Sequence, residues 1–120
     1  MGDNRFPAEH RIRRNADFQR IYARRCRASD HRLLVFGCPN GLAHPRLGLS
    51  VSRKLGGAVV RNRWKRLLRE AFRLSGTRLP SGIDLVVIPH RGVEPELAGL
   101  LQSLPLLADR LARRLAKDRR

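Results

Sequence analysis

The chain has 120 residues and carries 26 Lys+Arg against 10 Asp+Glu, a formal net charge of +16. That length fits one domain, and 42% hydrophobic residues suffice for a single core, which argues against wholesale disorder. No apolar run reaches the roughly 20 residues of a membrane-spanning helix. The mixed-charge stretch Met1–Arg14 lacks the apolar core of a secretory signal, and the thiols Cys26 and Cys38 fit neither a disulfide framework nor a zinc spacing. The expectation is a reduced, cytoplasmic, single-domain protein with a polyanionic partner, of which nucleic acid is the commonest kind. Only Lys54, Lys65 and Lys117 among the cations are lysines. Arginine suits phosphate forks and base stacking, although a genome rich in Arg codons gives the same bias.

In chain order, Asn15 is placed to cap a first helix, with Asp17 in its first turn against the helix dipole. Phe18, Ile21, Tyr22 and Arg25 recur there at helical spacing. Leu33–Cys38 reads as a strand closed by the turn Pro39-Asn40-Gly41. Arg46–Ser52 alternates, with Leu47, Leu49 and Val51 on one face and Gly48, Ser50 and Ser52 on the other. These two strands are expected to be antiparallel neighbours. After Gly56-Gly57, a helix runs from about Ala58 to Leu74, with Val60, Trp64, Leu67, Leu68 and Ala71 on its buried side. Arg63 and Glu70 are expected near each other at its border. Ile83–Pro89 reads as a buried strand. Glu94-Pro95-Glu96 opens a last helical region whose leucine stripe runs through Lys117, with Pro105 either kinking one helix or starting a second. The expected architecture is α+β, an α-β-β-α-β-α sandwich with a single small sheet. The core spans about residues 13–118, and residues 1–12 are expected to be flexible.

Enzymatic constellations are poor. His10, His31, His44 and His90 are scattered, with no carboxylate or cysteine at triad or ligand spacing. The few carboxylates form no cluster that could hold two catalytic metals, and no phosphate-binding glycine loop is present. The helix from Ala58 is different. Arg61, Asn62, Lys65, Arg66, Arg69 and Arg73 lie opposite its apolar side, and Glu70 is the only acid between Arg46 and Arg78. A solvated helix face normally mixes signs to limit self-repulsion. A face of one sign points to contact with a polyanion. Phe18 and Tyr22, one turn apart, are open to two uses: core packing, or a platform on which single-stranded bases stack.

The run Arg46–Glu70 resembles the signature of the bacterial ribonuclease P protein component. Arg46, Gly48, Val51, Ser52, Arg53 and Lys54 match the family's strand end. Gly56, Ala58, Val59, Arg61, Asn62, Arg63, Lys65 and Arg66 match its entry into the basic helix. Asp17-Phe18 with Tyr22 is similar to the family's first-helix motif. The resemblance covers about residues 13–118. It implies a subunit of the ribonucleoprotein endonuclease that removes the 5′ leader from precursor tRNA, with catalysis by the RNA subunit and its Mg²⁺ rather than by the protein. It also implies a fold like that of ribosomal protein S5 domain 2, with a left-handed β-α-β crossover, against the usual right-handed rule.

Position by position, the resemblance assigns Arg53, Lys54, Arg61, Asn62, Arg63, Lys65, Arg66 and Arg69 to the catalytic RNA. It assigns Phe18 and Tyr22 to the single-stranded leader. No protein partner is implied, and none of the protein's residues is assigned to a metal. Many family members carry another aromatic early in the next strand, where this chain has Arg32-Leu33-Leu34, with Phe36 further on, so an aliphatic or cationic far wall is expected for the leader cleft. Two competitors share the basicity. A structural RNA-binding protein of ribosomal type would lack the Arg61-Asn62-Arg63 block at this junction. A DNA-binding regulator would need a partner helix where a strand and Gly56-Gly57 stand.

Overall fold

The computed structural model describes residues 7–118. Residues 1–6 and the tail arginines Arg119 and Arg120 lie outside the described residues. Helix α1 spans Asn15–Arg24 with Asp17 in its first turn, but its N-cap is Arg14, without a side-chain cap bond. Asn15 is therefore the first helical residue rather than the cap. Strands follow at Arg27–Ser29 (β1) and Leu33–Pro39 (β2). Asp30 fixes the turn between them, its Oδ1 accepting the N–H of Arg32 at 2.8 Å and of Leu33 at 2.9 Å. β3 covers Arg46–Leu49, α2 Ala58–Ser75, β4 Ile83–Pro89 and α3 Leu97–Asp118.

The sheet order is β1-β2-β4-β3, with β4 antiparallel to β2 and parallel to β3. The expected pairing of Leu33–Cys38 with Arg46–Ser52 does not occur, because β4 lies between them. The reason is composition. Leu85, Val86 and Val87 are fully buried, so β4 needs cover on both faces and neighbours on both edges. β3 is shorter than expected and takes an edge, where Ile12 N–H donates to Leu47 O at 2.9 Å and Arg11 bridges Leu47. Ile12 is buried, so the packed core begins upstream of residue 13. The added strand β1 makes the order α-β-β-β-α-β-α within the same α+β class.

Alternate residues of each strand point to opposite faces. On one face Leu33, Val35, Leu47, Leu85 and Val87 pack against Trp64, Leu68, Ala71 and Phe72 of α2 and the leucines of α3. On the other, Cys38 and Val86 meet Ile21 of α1 and Ile12, flanked by half-buried Phe18, Tyr22, Phe36 and Ile88. α3 runs through Pro105 as a single helix. Pro95 lies before it rather than in its first turn, and Leu100 N–H donates to Glu96 O at 3.1 Å. In α2, Val60 is exposed instead of joining the buried stripe, and Phe72 is buried in its place further along. Glu70 takes Arg73 at 2.5 Å as its ion-pair partner, not Arg63.

Candidate nucleic-acid interface

α2 presents its cations because its buried side is spoken for by Trp64, Leu68, Ala71 and Phe72. Asn62, Arg63, Arg66 and Arg69 are exposed, and so are Arg53 and Lys54 on the short turn that precedes the helix. Arg61 and Lys65 are half-buried. Arg61 Nε donates to Gly56 O at 3.3 Å, tying the glycine turn to the helix start. That turn needs glycine at position 56, where φ is 141°. Lys65 and Arg69 line a groove between α2 and the β3 edge, together with Arg11, Arg13 and Leu49. Though Arg69 is exposed overall, the partial cover of its guanidinium in this groove, and then the nearby Arg11 charge, both push its pKa down. A groove lined by Arg11, Arg13, Lys65 and Arg69 has the charge to receive a phosphate.

The second surface is the sheet face under α1. Phe18 rests on the backbone of Gly48, where an added Cβ would lie 3.0 Å from its Cζ. The small face read in β3 is thus the seat of an aromatic ring. Tyr22 meets Phe36 edge-on, with ring centroids 5.0 Å apart, and lies 6.4 Å from Phe18. Phe18 and Tyr22 are both half-buried, as are Leu34, Phe36 and Ile88 beside them, so α1 covers only part of this face. Each side chain thus packs on the sheet through part of its surface and keeps the rest accessible. The far wall is aliphatic in part, as expected, with Leu34 and Ile88. It contains the aromatic Phe36, while Arg32 turns to α3, where its Nη1 donates to Ser103 Oγ at 3.3 Å and its side chain crowds Gly99.

A buried network that the sequence reading missed holds α1 in place. Asp84 carries no exposed surface. Arg46 donates to both of its oxygens, at 2.8 and 2.6 Å, Asn40 Nδ2 to Oδ1 at 2.9 Å and Arg20 Nη2 to Oδ2 at 2.5 Å. Arg20 Nη1 also donates to Pro39 O and Cys38 Sγ, each at 3.1 Å. Burial pushes the Asp84 carboxyl up, but the hydrogen bonds from Arg46, Asn40 and Arg20 outweigh it and hold the group below the usual carboxylate range. The signal was an aspartate inside an otherwise apolar strand. Because Arg20 lies between Phe18 and Tyr22 on α1, this network sets how both rings stand over the sheet.

The histidines are less scattered in space than in sequence: His10 and His44 have ring centroids 4.5 Å apart. Among the described residues, however, no three His, Cys, Asp or Glu side chains gather in a way that could hold a metal ion. Both cysteines are free and buried, and burial pushes the Cys26 thiol up. No described helix is long and apolar enough to cross a membrane.

Two surfaces therefore stand side by side, one cationic and exposed, the other aromatic and half-open. A family profile described as Ribonuclease P matches residues 6–112. The chain belongs to the ribonuclease P protein family. A ribonuclease P protein component from Methylococcus capsulatus is 50% identical over 84 residues, which are 69% of this chain and 65% of that protein, just under two thirds of its length. One from Brevibacillus brevis is 42% identical over 97 residues, 79% of this chain and 77% of the relative. Among solved structures, the Staphylococcus aureus RNase P protein aligns with a TM-score of 0.72 at 37% identity, covering 82% of this chain and 91% of the other. The Thermotoga maritima RNase P protein gives 0.74 at 33% identity, covering 82% and 96%. As a member of this bacterial family the chain is a protein subunit of ribonuclease P, which acts in tRNA 5′ maturation, and it associates with the RNA of that enzyme.

Proposed function

We propose that the two surfaces divide the work of the subunit. The cationic face, made of Arg53, Lys54, Arg61, Asn62, Arg63, Lys65, Arg66 and Arg69, binds the catalytic RNA. The half-open sheet face with Phe18 and Tyr22 holds the 5′ leader of precursor tRNA. The observation that carries this reading is the half-burial of the aromatic pair, which leaves part of each ring available to a base while Gly48 and Phe36 fix its place on the sheet. Stacking on such rings is sequence-tolerant, as leaders of varied sequence require, and contributes about 1–3 kcal/mol per base.

Cleavage in this reading belongs to the RNA subunit and the Mg²⁺ held by it and by the substrate. The protein's acids support that division, since Asp84 is committed to Arg20 and Arg46, Asp17 lies beside the same two arginines and Glu70 is committed to Arg73. The protein contributes position and charge neutralisation in the cytoplasm, where precursor tRNA is made in bacteria. The fold reading includes a left-handed β3-α2-β4 crossover of the ribosomal protein S5 domain 2 type. The parallel pairing of β3 with β4 on either side of α2 supports the β-α-β unit, and its left hand rests on the family resemblance.

The test is the salt dependence of assembly. Arg63→Ala and Arg66→Ala remove exposed side chains without a core contact, so melting temperatures should stay within error of the parent. Each should lower the log–log salt slope for binding the catalytic RNA by roughly 0.7–0.9 per phosphate contact removed. An unchanged slope in both would place these side chains in solvent and remove the α2 face from the interface.

A further inference from the structure

A second basic site lies at the opposite edge of the sheet from the α2 groove. Arg24, Arg25, Arg27, Arg114 and Lys117 line a cleft with a single acid, Asp118, between the C-terminal ends of α1 and α3 and the start of β1. Arg24 pairs with Asp118 at 3.7 Å, and Arg114 Nη1 donates to the Arg27 carbonyl. Arg25, Arg27 and Lys117 are exposed and have no acidic partner among the described residues. Helix C-termini favour cations, which accounts for Arg24, Arg25 and Lys117 but not for Arg27 or Arg114. Arg27 belongs to a strand, and Arg25 has φ 60°, a left-handed conformation that strains a non-glycine residue. It is the only described non-glycine residue with positive φ. An arginine held there at that cost places its charge in the cleft instead of yielding the position to glycine.

The register gives the cleft its place in a path. Phe18 sits on Gly48 of β3 and Tyr22 on Phe36 of β2, and Arg27 of β1 is the cross-strand partner of Phe36, on the same face. The aromatic pair thus points from the β3 edge, next to the α2 cations, toward the β1 edge. Neighbouring strands are about 4.8 Å apart, so a chain leaving Tyr22 in that direction reaches Arg25 and Arg27 at the next strand. We propose that this β1-edge cleft binds backbone phosphates of the single-stranded leader upstream of the bases on Phe18 and Tyr22. The proposal rests on the reading of the sheet face as the leader site and extends it to a longer stretch of RNA.

The experiment uses the enzyme reconstituted with its catalytic RNA and three ligands. These are precursor tRNA with a leader of about ten nucleotides, within the roughly 4–16 that one small domain covers, precursor with a leader of about two, and mature tRNA. The variants are Arg25→Gly, which also relieves the left-handed strain and should not lower the melting temperature, and Arg25→Gly combined with Arg27→Ala and Lys117→Ala. The combined variant should bind the long-leader precursor more weakly, with a log–log salt slope lower by about 0.7 per phosphate contact removed. The short-leader precursor and mature tRNA should be unaffected. Equal weakening of all three ligands would assign the cleft to the catalytic RNA or the tRNA body, and no change would leave it in solvent; either overturns the proposal. Phe18→Leu measured alongside separates the two claims. If it loses precursor affinity while the β1-edge variants do not, only the upstream site fails; if it keeps full affinity, the leader reading fails and this proposal with it.

Discussion

Asp84 is fully buried and faces two guanidinium groups and an amide, so its charge is worth more to the fold than that of any surface acid in the chain. Removing one partner of a buried, hydrogen-bonded pair leaves the others uncompensated and costs about 3–5 kcal/mol. Asp84→Asn should therefore lower the unfolding free energy by that order in a denaturant titration. The sign of the pH dependence follows from the lowered pKa of Asp84. A carboxyl whose folded value lies below its unfolded value near 3.9 contributes in full above that value and loses its contribution as pH falls through the folded one. The gap in stability between parent and Asp84→Asn should stay constant from neutrality down to about pH 4 and narrow below it. A gap that narrows already between pH 7 and 5 would mean that a histidine, not Asp84, governs the difference.

At the scale of elements, legibility followed the length and regularity of the apolar pattern. α2 and α3 carry several turns of stripe, and β4 has a run of apolar residues that no exposed element could carry, so all three were readable. β1 is three residues, Arg-Ala-Ser, with one buried alanine, and offers no alternation to detect. The neighbour relation of β2 and β3 was misread because a short connecting loop suggests a hairpin, while the demand of β4 for two neighbours acts only in three dimensions. The cationic face was legible because like charges cluster in sequence, whereas the Asp84 network joins residues from α1, β3, β4 and a loop. Phe36 is visible in the sequence two positions beyond Leu34, but only the packing of α1 on the sheet brings it against Tyr22. Pro105 left two options open, since sequence says what the helix loses there but not whether packing compensates. It is half-buried inside α3, and the Leu101 carbonyl has no N–H at position 105 to accept. Pro105→Ala restores that donor and should stabilise the protein by at most about 3 kcal/mol; a lower melting temperature would show that the ring's packing outweighs the missing hydrogen bond.

For the molecule as a whole, one four-stranded sheet separates two kinds of work. Its α2/α3 face is closed by a large apolar core, which gives the rigidity needed to present cations along α2. Its α1 face carries the smaller cluster of Ile12, Ile21, Cys38 and Val86 and leaves aromatic rings half-open beside it. A subunit built this way has its value in where it holds RNA, and under the proposed division of work the half-open face is what distinguishes precursor from product. The direct measurement is the affinity of the reconstituted enzyme for precursor and mature tRNA with Phe18→Leu, paired with a melting curve. Leucine keeps the bulk near Cγ but lacks the Cε1 and Cζ atoms that rest on Gly48, so a modest fall in melting temperature should accompany the loss of the stacking face. Precursor binding should weaken by about 1–3 kcal/mol for each base that loses its stack, with mature tRNA binding unchanged. A variant that binds both RNAs as the parent does, or loses both together with its melting temperature, would return Phe18 to the core and contradict the account.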